Sequence, residues 1–210
     1  MEKIDKKYLG GKRIGCLDMR TIAEEIAVST SFASEDPSTQ VGSCIVSEDD
    51  RVISTGFNHN PINWKSDEFP WRNDVDNIGL ENTKYPYIIH SELDAVSKCR
   101  DILGLRGSTI YVTLFPCREC AKIIIAFGIK KVVYGEYRIG KETDMTKRLL
   151  EECGVEFEHS DKLLVPKPPI IITLPKTVLQ PQVIEPEKQE NAGSVTEPPK
   201  VLKLNFKKGV

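Results

Sequence analysis

The chain has 210 residues, a formal net charge of −2 and six cysteines. It contains no apolar run of about 18 residues, which excludes a transmembrane helix, and its charged opening, MEKIDKKYLGGKR, lacks the apolar stretch of a secretory signal. Residues 161–210 carry eight lysines against five acids, leaving residues 1–160 with −5 of the total, an acidic balance that argues against a nucleic-acid-binding surface.

Residues 1–17 read as an N-terminal extension. DMRTIAEEIAVSTSFA places Ile22, Ala23, Ile26 and Ala27 at helical spacing, with Thr21 and Glu24 as a capping box. VGSCIVS and RVISTGF are short β-branched runs separated by EDD, the pattern of a hairpin. A long insertion between residues 57 and 88 is rich in Asn, Asp, Pro and Trp, and segments of that length in a compact domain are usually functional. HSELDAVSKCR reads as a helix, GSTIYVTLF as a buried strand, and CRECAKIIIAFG as a helix stopped at Gly128. KKVVYGE, TDMTKRLLEECG and VEFEH complete the pattern as strand, helix and strand. The order α-β-β-α-β-α-β-α-β predicts a sheet covered by helices on both faces, with a catalytic domain over residues 18–160. Eight of 13 prolines lie beyond residue 160, so residues 161–210 read as a disordered Pro/Lys-rich tail. Within it, PIIITL and VLKLNF are apolar patches, either docking segments or incidental.

With no export signal, a cytoplasmic, reducing compartment is expected, and cysteines there serve as thiols or metal ligands rather than disulfides. Cys16, Cys44, Cys99 and Cys153 stand singly among apolar neighbours and read as small buried hydrophobes. Cys117 and Cys120 differ, forming P-C-x-x-C after the strand GSTIYVTLF. Alone, that motif fits redox chemistry or structural zinc equally, and His90-Ser91-Glu92 alone fits an ordinary helix start. Together, HSE, 23 residues and PCREC match the H-x-E…P-C-x-x-C signature of zinc nucleobase deaminases. His90, Cys117 and Cys120 are three zinc donors with no fourth at a plausible spacing, which is the catalytic rather than the structural count. His90 and Cys117 each begin a predicted helix, where the helix dipole favours thiolates, and Cys120 lies one turn after Cys117. Glu92 is not needed as a ligand. At the same helix start it can move a proton between the attacking water and a leaving amine.

The chain resembles the deoxycytidylate (dCMP) deaminases over most of residues 18–158. The blocks EDPSTQVGSCIV, GFNHNP, FPWRNDVDN, NTKYPYIIHSELDAV and TLFPCRECAKIIIAFGIKKVV carry the resemblance. It implies a three-layer α/β/α sandwich with a mixed central sheet, the cytidine deaminase-like fold. It also implies hydrolysis of dCMP to dUMP and ammonia, supplying dUMP for thymidylate synthesis. The cofactor would be Zn2+ on His90, Cys117 and Cys120, with Glu92 as proton shuttle, in a homo-oligomer (dimer or hexamer) controlled by dCTP and dTTP. Carried over residue by residue, Asn58 lies near the nucleotide sugar, Ser91 near the base edge, and Tyr137 aligns through a gap with a tyrosine that closes over the base. The insertion holds no cysteine, so the second zinc site of some relatives is not expected.

Departures from the family pattern matter. Ser91 and Asp94 stand where it reads Ala and Asn, His59 where it has a glycine bordering the effector site, and Ala33 and Glu35 replace basic residues just before Asp36-Pro37. These put effector control and the preference for a monophosphate in question, because a carboxylate near a phosphate costs affinity. Alternatives to dCMP are dCTP, CMP or cytidine, or a modified dCMP. A catalytically inactive regulatory subunit is the reading of another class, against which the intact Glu92 argues.

Overall fold

The computed structural model describes residues 8–9, 12–13, 15–64 and 69–165. Tyr8–Leu9 (β1) and Lys12–Arg13 (β2) pair antiparallel near the start. The main elements follow as α1 Met19–Ser31, β3 Gly42–Val46, β4 Val52–Phe57, α2 Val75–Ile78, α3 Ser91–Lys98, β5 Thr109–Leu114, α4 Arg118–Ala126, β6 Lys131–Glu136, α5 Lys141–Glu152 and β7 Glu156–His159. The order read from the sequence stands, with β1 and β2 added ahead of α1, and α2 added inside the insertion. What was expected of residues 166–210, PIIITL and VLKLNF included, lies outside the described residues.

Five strands form one mixed sheet in the order β4-β3-β5-β6-β7. β3 runs antiparallel to β4 and β5, and β5, β6 and β7 are mutually parallel. Alternate side chains sort the apolar residues onto two faces. Ile45, Ile110, Val112 and Val132 join Ala95 and Val96 of α3, Ala121 and Ile124 of α4 and Leu150 of α5 in one core. Cys44, Val46, Tyr111 and Val133 join Ala23 and Ala27 of α1 in the other. Helices therefore cover both faces, and the layers are α/β/α.

Two close approaches fix the helices on the sheet. A Cβ on Gly42 would overlap the Ala27 carbonyl of α1, and one on Gly56 would overlap the Ser91 carbonyl at the start of α3. Ser43 Oγ, from β3, donates to that same Ser91 carbonyl at 2.9 Å. The first turn of α3 is thus pressed against the hairpin, where no bulkier residue would admit it.

The parallel crossovers end alike. After α4, Gly128 (φ 73°) donates to Ile125 O and Ile129 N to Ile124 O, at 3.0 and 3.1 Å. After α5, Gly154 (φ 70°) and Val155 repeat the pattern onto Glu151 O and Leu150 O, at 3.0 and 2.9 Å. Both are Schellman turns, in which glycine takes the left-handed backbone and the next apolar residue folds back onto the helix. The stop read at Gly128 is the first of them.

Four expectations are corrected. Asp18 rather than Thr21 caps α1, its carboxylate accepting the Thr21 N–H at 2.7 Å. Glu24 serves the tertiary structure instead, buried and accepting from Arg20 Nε at 3.1 Å and Ser160 Oγ at 2.8 Å. Cys44 and Cys99 are buried, but Cys16 and Cys153 are exposed, because one precedes α1 and the other caps the surface end of α5. The folded part also passes residue 160: a 3₁₀ turn, Asp161–Leu163, carries a fully buried Leu163 into the α1-side core.

The insertion has order of its own. Trp64 packs on Phe69 and Tyr87 (centroids 5.3 and 5.2 Å), and Phe69 on Trp71 (4.4 Å). A bridge between His59 and Ile89 closes its root.

Candidate active site

His90 is the N-cap residue of α3 and Cys117 that of α4. Pro116, just before Cys117, cannot extend β5, so the chain leaves the sheet and turns into the helix there. Adjacent helix starts thereby bring together residues 27 apart in sequence. Cys117 Sγ and Cys120 Sγ each lie 3.4 Å from His90 Nδ1. With zinc–nitrogen bonds of about 2.0–2.1 Å and zinc–sulfur bonds of about 2.3 Å, tetrahedral geometry sets nitrogen and sulfur roughly 3.5 Å apart. The donors therefore fit one zinc ion through Nδ1 and two sulfurs. Among the described residues, this is the one group of three or more His, Cys, Asp and Glu placed to hold a metal.

Electrostatics fits the same purpose. The Cys117 thiol is lowered to about 4, first by its hydrogen bond with Cys120 and then by His90, while His90 is raised to about 9 by its bond with Cys117. Cys120 is pushed well up, by donating to Cys117 and by burial. A metal takes the thiolate and neutral imidazole forms of these groups, so its binding would release protons from them.

Glu92 is 4% exposed, and burial pushes its carboxyl above the usual range. Its Oε2 accepts from Ser91 Oγ at 3.1 Å. Both residues line a cavity of about 720 Å³ together with His90, Cys117 and Asn58, within the range of about 300–1,000 Å³ for ligand sites. Ser91 itself is fully buried, so its hydroxyl holds Glu92 in place. Asn58 uses its amide on the wall: Oδ1 accepts the Val41 N–H at 2.7 Å and Nδ2 donates to Thr39 O at 2.9 Å.

Tyr137 is not brought to the cavity. Its ring packs on Phe115 at 5.3 Å, and the neighbouring Arg138 lines the cavity instead.

Further cavity residues were not foreseen. Lys84 of the insertion makes a buried ion pair with Asp36 at 2.5 Å. Asp36 also accepts the backbone N–H groups of Ser38 and Thr39, at 2.8 and 3.1 Å. Lys84 sits amid the aromatic and apolar residues of NTKYPYIIH, and a lone lysine in such a run is the signal that could have found it. Two departures from the family pattern meet one another: His59 Nε2 lies 3.1 Å from Asp94 Oδ1, while Asp94 Oδ2 accepts from Lys98 Nζ at 2.6 Å and Phe57 N–H at 3.1 Å. Asp94 thus faces away from the cavity, and neither residue lines it.

Fold and site together define a class, the zinc-binding α/β/α proteins with an open three-donor centre. The chain belongs to the family described as the cytidine and deoxycytidylate deaminase zinc-binding region, whose model matches residues 18–136. It is 39% identical over 134 residues to the deoxycytidylate deaminase of Mus musculus, spanning 63% of this chain and 74% of that protein. It is likewise 39% identical over 132 residues to a probable deoxycytidylate deaminase of Drosophila melanogaster, with coverage of 60% and 64%. In fold it resembles the dCMP deaminase of cyanophage S-TIM5, crystallised with dCMP and dUMP: TM-score 0.54, 24% identity, 68% of this chain and 96% of that one.

Proposed function

We propose that the chain hydrolyses dCMP to dUMP and ammonia. The observation that carries the reading is the buried Glu92 carboxylate, in the same cavity as His90 and Cys117. The deoxycytidylate deaminases among its relatives support the choice of substrate. Zinc held by His90, Cys117 and Cys120 would supply the Lewis acidity that makes water a nucleophile near neutral pH.

Glu92 does the proton work. Water adding to C4 of cytosine must lose a proton, and ring N3 must gain one as the C4=N3 double bond opens. The exocyclic amine must also be protonated, because ammonia leaves and an amide anion does not. Glu92 takes the first proton and gives it to N3, then takes the proton of the added hydroxyl and gives it to the amine. The C–N bond breaks as C4=O forms. Burial raises the affinity of the Glu92 carboxyl for a proton above that of an exposed one, the direction a proton carrier requires.

The test is ammonia release by zinc-loaded protein from dCMP, dCTP, deoxycytidine and CMP. The highest kcat/KM is expected with dCMP. A higher value with another of the four would transfer the reading to that substrate, and no release from any would favour the inactive regulatory subunit. The same reading takes the protein as a cytoplasmic homo-oligomer, dimer or hexamer, whose mass light scattering would measure. His59 has no positive φ and is bonded to Asp94, so effector control is expected to be weakened. The dCMP saturation curve should change little on adding dCTP or dTTP.

A further inference from the structure

His59 and Asp94, two departures from the family pattern, bracket the segment that carries His90 and Glu92. The backbone of His59 bridges Ile89, the residue just before His90: its N–H donates to Ile89 O at 3.1 Å, and its carbonyl accepts from the Ile89 N–H at 2.9 Å. The ring of the same residue reaches Asp94 on the first turn of α3, with Nε2 3.1 Å from Oδ1. Asp94 stands two residues past Glu92, and its own N–H donates to His90 O at 2.9 Å. One histidine therefore holds the chain on both sides of residues 90–92.

The chemistry of the contact makes the two residues depend on one another. The Asp94 side chain is only 4% exposed. Among the described residues its carboxylate meets donors alone: His59 Nε2, the Phe57 N–H at 3.1 Å and Lys98 Nζ at 2.6 Å. An asparagine there would turn an amide N–H toward one of them. His59 Nδ1 lies 2.6 Å from the Asn60 carbonyl, so both ring nitrogens face acceptors, and a proton on each satisfies them. Lys98 is half-exposed, and a pair with so exposed a partner contributes little. The buried carboxylate thus rests on His59 and one backbone amide, and removing either His59 or Asp94 strands a polar group. Resting on the deaminase reading above, we infer that His59 and Asp94 are a positioning pair, which sets the start of α3 so that His90 stands among the zinc donors and Glu92 faces the cavity. Neither residue lines that cavity, so the pair acts through the backbone of residues 89–94 and not by touching substrate.

A double-mutant cycle tests the coupling, read out as zinc affinity by chelator competition and as dCMP kinetics per bound zinc. His59→Ala and Asp94→Asn should each weaken zinc binding roughly 10-fold, the lower end for residues that orient a metal ligand from behind. Each should lower kcat by roughly 10-fold, as a small misplacement of the reacting groups does, with KM for dCMP within about twofold of the parent. The combined variant should recover most of both losses, because neither group is then stranded. A lower melting temperature with parental zinc affinity and kcat would show a structural role only and overturn the inference. So would a change confined to KM, losses that simply add in the combined variant, or Lys98→Gln reproducing them. If His59→Ala does not fold, His59→Gln, which keeps a single donor for Asp94, replaces it: a zinc affinity between those of the parent and Asp94→Asn upholds the inference, and a parental one overturns it. A parent that releases no ammonia from any of the four nucleotides would sink the deaminase reading alone, and the zinc affinities would still decide the role of the pair.

Discussion

In the proposed reaction Glu92 and the three donors do separable work, and single substitutions would divide it. Glu92→Gln keeps the side chain's shape and its hydrogen bond with Ser91 but removes the base. It should retain about one zinc per chain and lose roughly 10²–10⁴-fold or more in turnover. Near-parental deamination by Glu92→Gln, with loss in Glu119→Gln or Asp94→Asn, would reverse the assignment. Cys117→Ser removes the thiolate that His90 faces at 3.4 Å, so metal analysis should find the zinc gone and the activity with it. Asp36→Ala leaves the buried Lys84 ammonium unpaired, a loss of about 3–5 kcal/mol that a lowered midpoint in urea would register. Much of this was legible in the sequence, because the H-x-E and P-C-x-x-C halves each set their geometry within one helical turn. Asp36 and Lys84 were not, being 48 residues apart in runs with no common spacing. His59 and Asp94 each read as an isolated departure, and only the bridge between His59 and Ile89 makes them neighbours.

Among the elements, α3 carries the most of the site in the fewest residues. Its start is set by contact rather than by propensity: Gly56 admits the Ser91 carbonyl, and Ser43 bonds it. Gly56→Ala must push α3 away from β4 and move His90 and Glu92 with it. Overpacking of this kind costs about 1–3 kcal/mol or more. Zinc affinity should fall in Gly56→Ala along with thermal stability, whereas Gly140→Ala, whose Cβ would meet nothing within 4 Å, should leave both unchanged. A Gly56→Ala protein with parental metal affinity would contradict this account of how α3 is placed. The helices and strands themselves were readable from apolar periodicity and from the glycine stop at residue 128. The depth of the α3 contact was not, because a glycine in RVISTGF looks the same whether it bends a strand or receives a helix.

Across the whole molecule, the α1-side core closes only with Leu163, and Glu24 is bonded to Ser160 beside it. Truncation after residue 165 should leave turnover within a few-fold of the parent, since among the described residues those lining the cavity fall between 36 and 146. Truncation after residue 160 should lower the melting temperature, because it removes a fully buried leucine worth about 2–5 kcal/mol. Equal stability of the two truncations would show that Leu163 is dispensable to that core. Proline density marked the change of character near residue 160, but it could not show that the chain first turns back to seal a face. The two Schellman turns bear on something else. They gather the returns into β6 and β7 at one end of the parallel strands, while Cys117, Arg138 and the start of α5 gather at the other. One end keeps the architecture and the other meets the ligand. Loop libraries grafted between β6 and α5, or between α1 and β3, could be selected for new nucleotides without disturbing the scaffold, whereas the same randomisation at Gly128 or Gly154 would return few folded clones.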